Sequence, residues 1–305
     1  MTRRYRFPVI QEGARPTVGQ YIYQTEARFL DSDIFYGHGT MAALDEAAWL
    51  VGSAIGLAPD QLDEALEREL AASEIDRLDT LVRRRIDGRI PVAYLLNEAW
   101  FAGHRFYIDE RALIPRSLIA EYILEHFQPW IDEDRVHSVL DLCTGSGCIA
   151  IAIALEFPRA HVDAADISAD ALTVAVKNLE AYSLDDRVEL IQSDLFDALE
   201  DRCYDIIVSN PPYVPPSSMP GLPEEYKHEP ALALVAEDNG LELVARILAQ
   251  AAGHLNDGGL LIVEVGESRE ALEQRFSHLP FTWLGHESGE ETVFLLNRAD
   301  LIGAN

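Results

Sequence analysis

Lysine is almost absent from this sequence of 305 residues. Lys177 and Lys227 are the only two, acidic residues outnumber basic ones by 52 to 24, and the formal net charge is −28 at pH 7. A protein that binds duplex nucleic acid needs a basic surface that neutralises phosphates and releases their counterions. The composition therefore argues against direct DNA binding, and an acidic body is better suited to a basic partner.

Cysteines and long apolar runs are also scarce. Cys143, Cys148 and Cys203 have neither metal nor redox spacing, and an odd number argues against a disulfide framework. The N-terminus has no apolar stretch of signal-peptide length, and no apolar run approaches the length of a membrane span. We therefore expect a soluble protein of the reducing cytoplasm.

Common hydrolase and metal motifs are missing as well. The sequence has no G-x-S-x-G and no H-E-x-x-H, and its nine histidines are scattered. We predict no metal site.

The first third of the chain has the periodicity of helices and no competing strand pattern. Candidate helix starts are Thr17, Thr40, Pro59-Asp60 and a Ser73-x-x-Asp76 capping box. We predict a helical domain over residues 1–96. An aromatic, roughly alternating segment around Gly103 predicts a hairpin, which we place in a linker over residues 97–115.

Apolar strands alternate with helical patterns from Val136 onward, which predicts an α/β domain with a doubly wound parallel sheet over residues 116–305. Its last two strands, FTWLGHE and TVFLLN, are separated only by residues 288–291 and should form an antiparallel hairpin.

Three consecutive arginines, Arg83, Arg84 and Arg85, lie late in a predicted helix. They could contact RNA. Because cations at a helix C-terminus complement its dipole and usually lie in solvent, we favour a solvent-exposed helix end.

A glycine-rich turn follows the first strand of the α/β domain. It comprises Asp141, Leu142, Cys143, Thr144, Gly145, Ser146 and Gly147 and passes directly into a helix, so backbone can approach a ligand there. Asp166 closes the next strand, 21 positions after Gly145, where an acidic side chain accepts hydrogen bonds from ribose hydroxyls. Gly145-x-Gly147-x-x-Ala150 also satisfies the dinucleotide fingerprint, so an NAD enzyme and a turn without ligand remain alternatives.

Asp194, followed by Leu195, ends the third strand of the domain. Its carboxylate could accept a hydrogen bond from the adenine amino group of a nucleoside cofactor. The alternative is a helix cap after a strand.

Asn210, Pro211, Pro212 and Tyr213 follow the strand YDIIVS, at the edge where open sheets bind ligands. This segment suits the binding of a planar amide that is to be methylated. An amide nitrogen is a poor nucleophile because its lone pair is delocalised, so an enzyme must hold the N–H groups while it directs the nitrogen at the methyl group. The Asn210 side-chain oxygen and the Pro211 carbonyl are suitable acceptors. Two prolines stiffen the turn, and Tyr213 can stack on a planar amide or base.

These motifs together resemble the HemK/PrmC family of protein glutamine methyltransferases. RIPVAYLLNEAWFAGHRFYIDERALIPRS and LPEEYKHEPALAL extend the likeness to the PrmB branch, which modifies large-subunit ribosomal protein "L three". The resemblance covers about residues 89–302 and implies a class I methyltransferase domain that binds S-adenosylmethionine through Gly145, Gly147, Asp166 and Asp194. It further implies that residues 210–213 hold the glutamine amide. The expected cofactor-binding set is Asp141, Thr144, Gly145, Ser146, Gly147, Asp166, Asp194, Leu195 and Asn210.

Three functions remain open at this point. The first is methylation of a glutamine in a large-subunit ribosomal protein, whose basic character would suit the acidic chain, with the helical domain recognising that protein. The second is methylation of another planar nitrogen, either a release-factor glutamine or adenine in DNA. The net charge and the lack of a recognition domain after residues 210–213 disfavour DNA. The third is a non-catalytic S-adenosylmethionine-binding partner of the ribosome, against which the intact acceptor motif argues.

Overall fold

The computed structural model describes residues 15–286, 289 and 291–303, which form two compact units. A helical unit contains residues 15–98 and 223–228, and an α/β unit contains residues 99–222 and the described residues from 229 onward. The chain thus leaves the α/β unit after Leu222 and returns at Glu229. The domain boundaries predicted above do not include this excursion.

Five helices form the helical unit: α1 (Val18–Leu30), α2 (Ala43–Ala54), α3 (Leu62–Ala65), α4 (Ala72–Gly88) and α5 (Val92–Leu96). Short 3₁₀ turns lie at Pro59–Gln61 and Glu224–His228. Apolar residues of α1, α2 and α4 form its core, with Phe29, Leu50 and Leu78 fully buried. The predicted helical character of this segment is confirmed.

Two of the predicted helix starts are wrong. Thr17 does cap α1, and its side chain accepts the N–H of Gln20. However, α2 is preceded by Ala42 rather than Thr40, and α4 begins at Ala72, so that Ser73 lies inside its first turn. The Ala71 N–H is satisfied instead by Glu74 Oε2, at 2.8 Å. Ser73-x-x-Asp76 and Ala71-x-x-Glu74 have the same spacing. The second pair matches the observed helix start because Ala71 is the residue directly before α4.

The predicted hairpin is confirmed as β1 (Ala99–Phe101) and β2 (His104–Phe106), which pair antiparallel around Ala102 and Gly103. After α6 (Ile119–Leu124), the chain builds a seven-stranded sheet in the order β5-β4-β3-β6-β7-β9-β8. Its strands are β3 (Ser138–Leu142), β4 (His161–Asp166), β5 (Val188–Gln192), β6 (Tyr204–Ser209), β7 (Leu255–Glu264), β8 (Thr282–Leu284) and β9 (Val293–Asn297).

Strands β3 to β7 are parallel, and β9 runs antiparallel between β7 and β8. The α/β fold with a terminal antiparallel hairpin is therefore confirmed. The strand order reverses at β3: the chain adds β4 and β5 on one side of it and β6 and β7 on the other. Such a switch point leaves a crevice at the carboxyl ends of the strands, which is where open sheets bind ligands.

Besides α6, the unit contains α7 (Cys148–Glu156), α8 (Ala169–Tyr182), α9 (Glu237–Gly240), α10 (Glu242–His254), α11 (Arg269–Arg275) and α12 (Arg298–Ile302). Helices pack on both faces of the sheet. Val139 packs with α6 and α7, whereas its neighbour Leu140 packs with α10 and α12, as alternation in a strand requires. None of the helices in the described part of the chain is both long and apolar enough to cross a membrane.

Candidate active site

Asp141, in β3, anchors the glycine-rich turn between β3 and α7 through hydrogen bonds. This carboxylate is fully buried, and its Oδ2 accepts the Thr144 hydroxyl at 2.6 Å and the Ala150 N–H at 3.1 Å. Burial raises the pKa of Asp141 to about 7, although these two donors oppose the shift. Its Oδ1 has no hydrogen-bond partner among the described residues. Asp141 therefore stabilises the conformation of the turn and does not line the cavity described below.

Two glycines of this turn serve different purposes. Gly147 has a φ of +79°, and a Cβ there would lie 3.2 Å from the Ala175 side chain, so its glycine lets α7 and α8 approach. Gly145 has a φ of +57°, and nothing lies within 4 Å of where its Cβ would be. Both positions favour glycine by conformation, but the space beside Gly145 is open to a ligand.

Asp166 at the end of β4 is locked onto the same turn. Its Oδ2 accepts the Gly145 N–H and its Oδ1 the Ser168 N–H, each at 2.8 Å. Burial raises the pKa of Asp166, and these N–H groups lower it, with a net increase. Because each carboxylate oxygen has two lone-pair directions, both oxygens can still accept a further hydrogen bond.

Asp194 and Leu195 lie beyond β5, in a segment of turns. No helix begins there, so the alternative of a helix cap is not supported. Asp194 Oδ1 lies 2.8 Å from the Arg246 guanidinium of α10. Leu195 is buried and has a φ of +50°.

The segment of residues 210–213 leaves the carboxyl end of β6, which lies between β3 and β7 in the sheet. Pro211 is buried, whereas Asn210, Pro212 and Tyr213 are partly exposed. Two positive-φ glycines accommodate Tyr213. A Cβ at Gly240 would lie 2.1 Å from the Tyr213 carbonyl oxygen, and one at Gly266 would lie 2.5 Å from the Tyr213 ring.

These strand ends surround one cavity of ≈ 280 Å³, close to the size of small-ligand sites. Six of the predicted site residues line it: Gly145, Asp166, Asp194, Leu195, Asn210 and Pro212. The other six, Asp141, Thr144, Ser146, Gly147, Pro211 and Tyr213, are not part of its wall. The cavity therefore joins the glycine-rich turn, both acidic strand ends and the start of the acceptor segment in one space.

Several wall residues were not predicted from the sequence. Ile167, exposed by 50%, is the apolar side chain beside Asp166, and its position directly after the acidic strand end could have indicated it. Arg111 and Leu232 lie in the two stretches that extend the family likeness but were not assigned to the site, and Val235, Leu243 and Arg246 carried no recognisable signal. The result is a cavity with mainly apolar walls and carboxylates at fixed points. Among the described residues, no group of three or more His, Cys, Asp or Glu side chains could hold a metal ion.

Known proteins that are similar to this chain identify its family. Residues 120–219 match the model of the methyltransferase small domain family. Over 278 residues, the chain is 48% identical to the ribosomal protein uL3 glutamine methyltransferase of Neisseria meningitidis serogroup A / serotype 4A, a match that covers 91% of each chain. The protein of the same name from Bordetella pertussis is 46% identical over 286 residues, covering 93% of this chain and 96% of that one.

The chain belongs to the family of ribosomal protein uL3 glutamine methyltransferases. Membership of this family confirms the resemblance inferred from the sequence and the interpretation of the chain as a methyltransferase, so the dehydrogenase alternative does not hold. Among solved structures, the catalytic domain of hMettl16 in complex with MAT2A 3′UTR hairpin 6 is 19% identical. The match covers 74% of this chain and 81% of that chain, with a TM-score of 0.50, and it supports the fold alone.

Proposed function

We propose that this methyltransferase transfers a methyl group from S-adenosylmethionine to the side-chain amide nitrogen of a glutamine in ribosomal protein uL3. The observation that carries the proposal is 48% identity across 91% of a protein named for that activity. Independent support comes from the cavity, which has Asn210 on its wall together with Gly145 and Asp166.

The residues around the cavity fit the cofactor. Its size approaches that of small-ligand sites, the space beside Gly145 is open, and Asp166 is oriented by two backbone donors yet keeps acceptor capacity. Asp166 would accept from ribose hydroxyls and Asp194 from the adenine amino group. Ile167 and Leu195, both on the wall, offer apolar faces for a flat base. When bound, S-adenosylmethionine supplies an electrophilic methyl group on a sulfonium.

The chain itself must overcome the weak nucleophilicity of an amide. In this proposal the Asn210 side-chain oxygen and the Pro211 carbonyl accept the two N–H groups of the glutamine and orient its nitrogen. Orientation of this kind lowers a reaction barrier by about 7–11 kcal/mol in favourable cases, because the entropy of alignment is lost on binding rather than in the transition state. The buried Pro211 and the glycine contacts of Tyr213 keep the segment in place.

The proposal is tested with radiolabelled S-adenosylmethionine and three separate acceptors: uL3, release factors and DNA. We expect label in uL3 alone, at one glutamine, and its loss when that glutamine is replaced by glutamate. Label in a release factor or in DNA, with none in uL3, would contradict the proposed substrate. Binding of the cofactor without label in any acceptor would favour a non-catalytic partner of the ribosome.

We further propose that the helical unit recognises the protein substrate in the cytoplasm. Its described surface includes the exposed acids Asp60, Asp63, Glu64 and Glu67, which suit a basic partner. Replacing these four by amides should raise KM for uL3 and leave the Kd of S-adenosylmethionine unchanged. The matched control replaces four exposed acids of the α/β unit, Asp185, Asp186, Glu200 and Asp201. An equal increase in KM from both sets of four substitutions would mean that only the overall negative charge attracts uL3 and that the helical unit does not recognise it.

A further inference from the structure

Tyr213 is held at several points although it does not line the cavity. Its carbonyl lies against Gly240 and its ring edge against Gly266, where added Cβ atoms would come within 2.1 and 2.5 Å. Its hydroxyl lies 3.4 Å from Glu264 Oε1. Three segments of the α/β unit therefore hold Tyr213, one at its backbone and two at its side chain.

Glu264 is an unusual residue to find behind such a ring. It is the last residue of β7, is 5% exposed, and directly follows Val263, the register partner of Ser209. Its position in β7 thus corresponds to that of Asn210 after β6. Burying a carboxylate is costly unless donors surround it, so its placement needs an explanation.

The donors on Glu264 leave one oxygen for Tyr213. Oε2 accepts the Ser117 hydroxyl at 2.6 Å and the Leu118 N–H at 3.1 Å. These two bonds fix the plane of the carboxylate and aim Oε1 at the phenol. Burial raises the pKa of Glu264, and the donors around it, together with the charge of Arg116, oppose the shift. The Arg116 guanidinium itself binds Glu229, at 2.5 and 2.8 Å.

We propose that Glu264 is a positioning residue that acts through the Tyr213 hydroxyl to hold the acceptor segment in its reactive orientation. This inference rests on the proposed function. Glu264 contacts neither the cofactor nor the glutamine and acts only by holding Tyr213 in place. The alternative is that Glu264 serves only to fix Ser117 and Leu118 at the start of α6.

A double-mutant cycle in the full-length protein separates the two roles. We expect Glu264→Ala to lower kcat for methyl transfer by about tenfold and to change the Kd of S-adenosylmethionine by less than about twofold. Because Glu264 acts through the hydroxyl, adding Tyr213→Phe to Glu264→Ala should cost less than about twofold more. Full additivity of the two substitutions in kcat would overturn the proposal.

Glu264→Gln provides the conservative test, because its amide oxygen can still accept from Ser117 and Leu118 while its NH₂ group donates to the phenol oxygen. We expect it to restore most of the turnover lost in Glu264→Ala. A glutamine variant as slow as the alanine variant would mean that the charge is required, which contradicts a positioning role. Exposed Glu267, three residues further along the chain, is the matched control, and Glu267→Ala should behave as the wild type.

The free energies of unfolding of the same variants measure the contact between Glu264 and Tyr213 independently of turnover, and we expect coupling between the two substitutions there too. A second cycle pairs Glu264→Ala with Ser117→Ala. Coupling in the second cycle alone would overturn the proposal. If the wild type methylates an acceptor other than uL3, the proposed function fails while the cycle is still measured on that acceptor.

Discussion

Arg85 offers the sharpest test of how the helical unit is stabilised. It is 1% exposed, so the solvent-exposed interpretation of Arg83, Arg84 and Arg85 is wrong for this residue, although Arg83 and Arg84 are exposed. Its guanidinium lies 2.6 Å from Glu46 Oε1, 2.9 Å from Glu225 Oε1 and 2.7 Å from the Phe35 carbonyl oxygen. Glu225 belongs to the segment that returns to this unit from beyond the acceptor motif.

Replacing Arg85 by methionine keeps much of the apolar stem and removes the charge. Two buried carboxylates, 2% and 1% exposed, would then lose their main partner. Glu225 would keep the Phe35 N–H, at 2.9 Å, and Arg89, at 3.7 Å. Glu46 would keep only the longer hydrogen bond from the Thr40 hydroxyl, at 3.4 Å, so the larger loss of stabilisation is expected at Glu46. Removing one partner of a buried ion pair costs about 3–5 kcal/mol. We expect a destabilisation in that range for the helical unit.

The measurement is hydrogen exchange of the amides in α4 and in residues 223–228 at increasing urea, which reads the unfolding of this unit by itself. Arg84→Met is the matched control and should change stability by no more than about 0.5 kcal/mol, because Arg84 is exposed. A loss below about 1 kcal/mol for Arg85→Met, or an equal loss for Arg84→Met, would refute the reasoning.

Three further predictions concern the site and the α/β unit. Asp166→Ala should weaken S-adenosylmethionine binding by about 1.5–3 kcal/mol in calorimetry, with the exposed Asp170→Ala as control; unchanged affinity would remove Asp166 from the site. Asn210→Ala should leave cofactor binding largely intact while kcat falls by the equivalent of about 2.7–4 kcal/mol, and near-normal methylation would contradict its role. His126 lies between Glu133 and Glu156, which raise its pKa above 6.5. It should therefore stabilise the fold fully below pH 6.5 and lose that contribution as pH rises through its folded pKa. His126→Asn, chosen because this position has a φ of 52°, should match the wild type in unfolding free energy at high pH and fall below it in acid; a pH-independent difference would refute the assignment.

Much of the site could be predicted because its motifs are local. Gly145, Asp166, Asp194 and Asn210 each stand at the carboxyl end of a recognisable strand, and parallel strands bring such ends to one edge of the sheet. The twelve predicted positions keep their roles as predictions, but the cavity joins six of them directly. Motif and topology together thus determine the neighbourhood without any side-chain contact being known.

Local sequence also determined the secondary structure where patterns were long, as in the helical first third and the alternating strands. It failed at Thr40 and Ser73, because α2 and α4 are preceded by Ala42 and Ala71, which have no side chain that could cap a helix and so give no signal in the sequence. It could not place Arg85, because burial depends on Glu225, which is 140 residues away in the chain. An arginine run has the same appearance in sequence whether its side chains find solvent or buried carboxylates.

The tertiary structure alone decided the rest of the cavity wall and the support of Tyr213. Arg246 reaches Asp194 from α10, and Leu232 and Val235 lie just after the chain returns to the α/β unit at Glu229. Gly266 and Glu264 meet the Tyr213 ring from the end of β7. Strand-end motifs follow from the regular geometry of a parallel sheet, whereas these contacts depend on how distant segments pack, which no local pattern of residues encodes.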